Sequence, residues 1–219
     1  NLIPAPDLRP ETVDNFEIGM RGEFNRGFFS VGAFHADYKD FIQSFYNIPS
    51  TNQYTYRNLS SVKLYGIEAS AGLDITEDLR ADFSVAWQQG TQKADSTSDV
   101  ENFTAPPLKA IIGLEYAIPD YNLTLGASTT WAAAVSRTTN DTDFKPDGYT
   151  LLDLSAKWQP TENTKLRFSV KNVFNERYFN ANAASYSVNA SSDAVARSNP
   201  IELQTGAGRT FEFGLNVTF

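Results

Sequence analysis

The sequence predicts an all-β fold, a transmembrane antiparallel up-and-down β-barrel wall, and three observations carry that prediction. Apolar and polar residues alternate along about nine segments, the connections between them are short and long in strict turn, and aromatic side chains gather at two levels of the apolar face. Composition alone would pass for that of a soluble protein: 219 residues, 41% apolar and 20% charged, with a mean hydropathy of −0.36. A barrel strand is apolar only at alternate positions, so its average conceals it. No run approaches the ~18 consecutive apolar residues of a membrane helix. The 16 Phe and 10 Tyr against a single Met favour strands over helix bundles.

The segments fall at 14–24, 28–45, 62–75, 79–92, 108–118, 122–136, 148–158, 164–176 and 207–219. In the first, Glu17 and Arg21 share the polar face, and Phe24 ends the apolar one. The second carries Phe29, Val31, Ala33 and His35 on one face, and the third sets Glu68 on the polar side. In the fourth, Ala81, Phe83, Val85 and Trp87 oppose Arg80, Asp82 and Ser84. The fifth places Lys109 and Glu115 opposite Tyr116, and the sixth carries Trp131. In the seventh, Leu152, Leu154, Ala156 and Trp158 oppose Asp153, Ser155 and Lys157. The eighth sets Leu166, Phe168 and Val170 against Arg167, Ser169 and Lys171. In the last, Phe211, Phe213, Leu215, Val217 and Phe219 oppose Glu212, Gly214, Asn216 and Thr218.

Tight-turn residues occupy Asn25-Arg26-Gly27, Thr76-Glu77-Asp78, Asp120-Tyr121 and Thr161-Glu162-Asn163. Between them lie long polar connections at 48–61, 93–107, 137–147 and 177–206. Outer-membrane barrels keep short turns in the periplasm and long loops outside, which places the C-terminus on the periplasmic side. Trp87 and Trp131 then form an upper belt, and Phe24, Tyr116, Trp158 and Phe219 a lower one. A secreted β-sandwich binding module is the alternative, because periodicity does not tell an inward apolar face from an outward one. An up-and-down bacterial barrel needs an even number of strands, and the charged face wants water or a polar plug, so further strands are expected upstream.

Several chemistries are excluded or disfavoured. Without Cys there is no disulfide, thiolate metal site or thiol nucleophile. A net charge of −8 argues against nucleic acid as a partner. No phosphate loop or Ser-His-Asp set stands out, so the chain is not read as an enzyme, and no intrinsic cofactor or metal is expected. The sequons at Asn58, Asn102, Asn122, Asn140, Asn189 and Asn216 carry no glycosylation meaning in a bacterial chain.

Four stretches, in order, resemble the TonB-dependent outer-membrane receptors. They are Pro6-Asp7-Leu8-Arg9-Pro10-Glu11-Thr12 with Asn15, Glu17, Gly19 and Arg21; Arg57-Asn58 with Val62 and Tyr65-Gly66-Ile67-Glu68; Lys171-Asn172-Val173-Phe174-Asn175-Glu176-Arg177-Tyr178; and Gly208-Arg209-Thr210-Phe211. Pro106-Pro107-Leu108-Lys109, the run Asp147 to Leu154 and Trp158 to Asn163 look more like the haem, haemoglobin and haemophore receptors of that family.

The resemblance implies a 22-stranded barrel closed by an N-terminal plug, of which residues 1–219 would supply about the last nine strands, without plug or TonB box. It implies a Gram-negative outer membrane, with lipid and lipopolysaccharide around the wall and the TonB complex engaged through the N-terminal part. The transported ligand would be haem, free or from a haem-carrier protein at the outer loops. A ferric siderophore or another TonB-dependent nutrient is the alternative cargo. Candidate ligand contacts are the loop residues Tyr54, Tyr56, Arg57, Phe103, Phe144, Tyr178, Phe179 and Tyr186, since aromatic rings bring apolar area at small entropic cost. The terminal pattern Phe211, Phe213, Leu215, Val217 and Phe219 matches the signal read by the barrel-assembly machinery. His35 is the one possible imidazole ligand for haem, but it shares the apolar face and reads better as a wall residue. The acidic loop residues Asp95, Asp99, Glu101, Asp141 and Asp143 are expected to be solvated.

Overall fold

The computed structural model of the chain describes residues 2–48, 50–51, 53–185 and 201–218. Tyr186 and Phe219 lie outside the described residues. The described chain forms one ten-stranded antiparallel sheet: β1 (Thr12–Phe24), β2 (Gly27–Asn47), β3 (Tyr54–Asp74), β4 (Leu79–Lys93), β5 (Glu101–Phe103), β6 (Lys109–Ile118), β7 (Leu123–Ala132), β8 (Tyr149–Thr161), β9 (Thr164–Lys171) and β10 (Thr210–Val217). Nine of them follow one another side by side in chain order, and β5 pairs only with the upper end of β4. A sandwich needs two packed layers; here a single sheet winds in an up-and-down order.

Directly paired residues of antiparallel strands point to the same side, so the register shows whether the alternation of each strand joins that of its neighbours. It does. One row reads Met20, Val31, Ala69, Val85, Ala110 and Trp131 across β1, β2, β3, β4, β6 and β7. Another reads Leu125, Ala156, Phe168 and Phe213 across β7 to β10. The opposite face carries Glu17, Arg21, Glu68, Asp82, Glu115 and Lys171. Phe16 is 69% exposed, Ile18 78% and Phe213 72%. A continuous apolar face of this extent is far larger than the patches that water-soluble monomers tolerate, whereas hydrocarbon is its natural surrounding.

The apolar band has a sharp upper edge. Along the same face of β1, β2 and β3, the row Phe16, His35, Tyr65 is followed by Asp14, Asp37, Lys63. Ion pairs join Lys39 to Asp14 at 3.1 Å and Lys63 to Asp37 at 3.3 Å just above that edge. From Phe24 up to Phe16 the band covers nine residues, eight steps of about 3.4 Å or about 27 Å along the strand. Tilted as barrel strands are, that gives roughly 20 Å of height. Tyr65 packs edge-on against Trp87 at 5.9 Å in the upper belt, and Trp158 Nε1 donates to the Tyr121 carbonyl at 3.1 Å in the lower one.

All four short turns lie at one end of the sheet, and the described parts of the connections 48–53, 94–108, 133–148 and 172–209 at the other. Burial concentrates at this loop end, where Leu59, Val62 and Pro146 are fully buried and Ala132, Val135, Ala183 and Ala184 nearly so. Several expected boundaries move. The connection expected over 48–61 shrinks, because β2 and β3 continue as a hairpin with Tyr46 opposite Thr55 and Gln43 opposite Arg57. Above the band no face has to be apolar, so alternation disappears while pairing persists. The strand expected to end at 176 stops at Lys171, since Asn172 takes a left-handed conformation with φ 50°. The strand expected to reach 136 ends at Ala132.

Candidate functional site

The described candidate ligand residues sit at the loop end, four of them in strands where loops were expected. Tyr54, Tyr56 and Arg57 belong to β3 and not to a loop, and Phe103 belongs to β5. Arg57 lies 3.8 Å over the Tyr46 ring and donates from Nε to Gln43 Oε1 at 2.7 Å. Tyr54 is tied through its carbonyl to Ile3 N at 2.8 Å. Phe103 meets Phe41 edge-on at 5.6 Å, and Phe41 meets Tyr38 in the same way. A second group gathers around 172–209: Phe144 stacks edge-on with Phe179 at 4.9 Å, Arg177 lies 5.6 Å over Phe179, and Tyr149 packs against Tyr178 at 4.6 Å. A Cβ at Gly206 would fall 2.1 Å from the Tyr178 ring, so only glycine allows that ring to lie against the backbone.

The candidates thus fall into two groups by position, one on β2, β3 and β5 and the other around 172–209, each with an arginine over a ring. These are half-buried, except Tyr54 and Arg177, which are exposed. Such groups offer π-faces and guanidinium charge to a flat or anionic ligand at low ordering cost.

The motif residues turn out to anchor loops. Asn58 and Arg9 bond reciprocally, Asn58 Nδ2 donating to the Arg9 carbonyl and Arg9 N to Asn58 Oδ1, both at 2.9 Å; Arg9 also pairs with Asp40. The segment before β1 is therefore fastened across β2 onto β3. Asn172, 3% exposed, donates from Nδ2 to the carbonyls of Glu176 and Ala207 at 2.8 and 3.2 Å and accepts from Glu176 N at 2.8 Å. Asn175, also left-handed, accepts from Arg209 N at 2.9 Å. Two motifs 30 residues apart in sequence meet here and pin both ends of the 172–209 connection.

Sequence reasoning missed these polar anchors; for Asn172 and Asn175 the signal that could have found them was asparagine, which tolerates the positive φ that both adopt. It also missed Arg137, whose guanidinium joins Gln89 at 2.8 Å and Asn102 at 2.7 Å, linking the 133–148 connection to β4 and β5. Of the acidic set, Asp143 is 8% exposed and accepts from Asn140, so it is a turn-maker and not a solvated charge. Asp95 accepts from Thr97 N, Thr97 Oγ1 and Ser98 N, which holds its carboxyl down at about 2. His35 is exposed on the apolar face between Phe16 and Tyr65, turned away from the polar face. Among the described residues no group of three or more His, Asp or Glu side chains could hold a metal ion.

The polar face holds an open hollow of about 650 Å³, reached by Asp82, Glu115, Ser128, Asp153, Arg167 and Glu212 from six strands of the path. One hollow shared by so many strands means that this face is the inside of the curve, as in a barrel.

Comparison with known proteins agrees with this geometry. The family model described as TonB dependent receptor-like, beta-barrel matches residues 1–173. The heme/hemopexin utilization protein C of Haemophilus influenzae is 31% identical over 205 residues, covering 81% of this chain and 28% of that protein. The probable hemoglobin and hemoglobin-haptoglobin-binding protein 4 of the same species is 24% identical, covering 100% of this chain and 25% of its own length. Among solved structures, the copper transporter OprC superposes with a TM-score of 0.79 at 21% identity, covering 98% of this chain and 33% of OprC. The chain spans under a third of the length of these curated relatives. With the matched family model covering most of its length, and the barrel register present strand by strand, the chain belongs to the TonB-dependent receptor β-barrel family.

Proposed function

We propose that this chain is the C-terminal wall and outer-loop layer, over residues 1–219, of an outer-membrane receptor that imports haem, free or delivered by a haem-carrier protein. The observation that carries the cargo is the 31% identity, over four-fifths of the chain, to a heme/hemopexin utilization protein. In this reading the two aromatic groups meet the ligand: Tyr54, Tyr56, Arg57 and Phe103 on one side, Phe144, Tyr178 and Phe179 on the other, with Tyr186 from the same connection as the last two. The apolar face meets lipid and, at its upper edge, lipopolysaccharide. Phe211, Phe213, Leu215, Val217 and Phe219 serve the barrel-assembly machinery, and the TonB complex acts through the receptor's N-terminal part. No covalent chemistry is involved; the wall binds, confines and passes its cargo.

The test is a titration of the full-length receptor with haem and with ferric chelates. Haem binding in the low micromolar range or tighter, weakened by Tyr178→Ala with Phe179→Ala, is expected; no haem binding ends this reading. A ferric siderophore or another TonB-dependent nutrient is the second reading, because the same fold occurs in the copper transporter OprC and so does not single out haem. Orientation is tested separately on whole cells. An epitope placed at Asp141-Thr142 is expected to be accessible from outside, and one at Glu77-Asp78 only after permeabilisation.

A further inference from the structure

The apolar face is not evenly filled. On β7 to β10 its side chains form two adjoining rows, Leu123, Trp158, Leu166 and Leu215 in one and Leu125, Ala156, Phe168 and Phe213 in the next. Ala156 is the one small residue among these eight. A methyl group ringed by leucines, an indole and a phenyl ring stands below its neighbours, and an apolar hollow of about 580 Å³ opens over it. Leu123, Trp158, Leu166, Phe168 and Phe213 wall the hollow, and Tyr121 borders it. Arg167 is the one charged residue of the lining, and the register sends its side chain to the polar face, beside Lys157 and Gly214.

The hollow lies at the turn end, in the lower aromatic belt, where Tyr121 closes the short helical turn Pro119–Tyr121. Trp158 Nε1 donates to the Tyr121 carbonyl, so the indole N–H is satisfied within the chain and asks for no polar partner. Tyr121 is exposed, and its hydroxyl has no hydrogen-bond partner among the described residues. The fitting occupant is therefore apolar along its length and polar where it meets the turn end. The patch is about 14 Å wide across three strand spacings and about as tall, roughly 200 Å². A stable protein interface buries at least ~600 Å² on each partner, so a second protein does not fit the hollow. In lipid the surroundings are as apolar as the wall, and van der Waals packing decides what stays against it. An unfilled hollow forfeits those contacts, and a flexible hydrocarbon chain restores them.

We infer that the hollow over Ala156 is a binding site for an acyl chain of one glycerophospholipid, with Trp158, Leu166 and Phe168 holding the chain and the Tyr121 hydroxyl meeting the ester or headgroup oxygens. The short turns put this end in the periplasmic leaflet, whose lipids are phospholipids, while lipopolysaccharide lies at the loop end. The inference rests on the outer-membrane orientation proposed above and not on the cargo.

The experiment releases the full-length receptor from outer membranes in mild detergent and weighs it by native mass spectrometry, with folding checked by heat-modifiability on gels. The wild type is expected to keep one phospholipid. Ala156→Phe fills the hollow and should lose that lipid. Ala110→Phe, the same change on the same face between Val85 and Trp131, should keep it. Both variants place an apolar ring toward lipid, which a barrel wall tolerates. Ala156→Leu, a milder filling, decides the matter if the phenylalanine variant does not fold. A wild type without phospholipid overturns the site, and so does equal retention in the variants at 156 and 110. A dimer that only the substitution at 156 abolishes overturns it in favour of a second copy. Loss of lipopolysaccharide in place of phospholipid overturns it too, and the epitopes at Asp141-Thr142 and Glu77-Asp78 then tell whether the orientation falls with it. With those epitopes placed as expected and no phospholipid retained, the site alone fails.

Discussion

Single residues fix the loop layer through buried or well-aligned polar bonds. Asn172 combines a left-handed backbone with three side-chain hydrogen bonds while nearly fully buried. Asn172→Ala removes the bonds and keeps the strained backbone, so it should destabilise the full-length receptor by about 2–4 kcal/mol in denaturant unfolding. Asn172→Gly should recover about 1 kcal/mol of that, because glycine takes positive φ freely. Asp95 gives a pH-dependent counterpart. Its carboxyl is held down at about 2 from an ordinary 3.8, first by the Thr97 side chain and backbone and then by Ser98. A depressed carboxylate favours the folded turn above the ordinary value and loses that contribution as pH falls through about 2. The amide resonances of Thr97 and Ser98 should therefore hold down to pH ~4 and move between there and pH ~2. Unchanged amides at pH ~2 would contradict the turn.

Among the elements, the strands were legible wherever the membrane dictates their chemistry. From Phe24 to Phe16, Leu79 to Trp87 and Leu166 to Val170, one face must be apolar, and period-two alternation records it. Above the Asp14, Asp37, Lys63 row that demand ends. Residues 54–61, read as loop, are strand because pairing with β2 needs backbone groups and not alternation. The site suffered most from this. Tyr54, Tyr56 and Arg57 are legible as loop-end residues, but Arg57's partners Tyr46 and Gln43 are not, since contacts between neighbouring strands depend on a register that the upper hairpin does not reveal. The close of β9 at Asn172 was hidden for a different reason: Val173 and Phe174 continue an apolar pattern that the left-handed Asn172 interrupts.

Strand β10 offers an element-level test. Phe213→Lys sets a charge on the apolar face and should reduce folding into vesicles by roughly 2–4 kcal/mol, whereas Glu212→Lys, one residue away on the polar face, should be tolerated to within about 1 kcal/mol. Equal penalties would contradict the assignment of the two faces.

On the scale of the whole molecule, one repeated rule organises the chain. Each strand contributes an apolar stripe outward and a polar stripe inward, short turns close one end, and the folded loop layer at the other carries both aromatic groups. The family and the fold follow from that rule and from motifs that anchor loops; cargo identity does not, because the wall is common to receptors with different cargo. The measurement that tests the central claim most directly is single-cysteine labelling: residues 1–219 hold no cysteine, and any cysteine in the rest of the receptor is first replaced by serine. Fluorophores are attached one at a time at 211 to 216 in the full-length receptor, reconstituted in vesicles of brominated lipid. The barrel wall predicts strong quenching at 211, 213 and 215 and weak quenching at 212, 214 and 216. Uniform quenching along the strand, or the opposite phase, would contradict it.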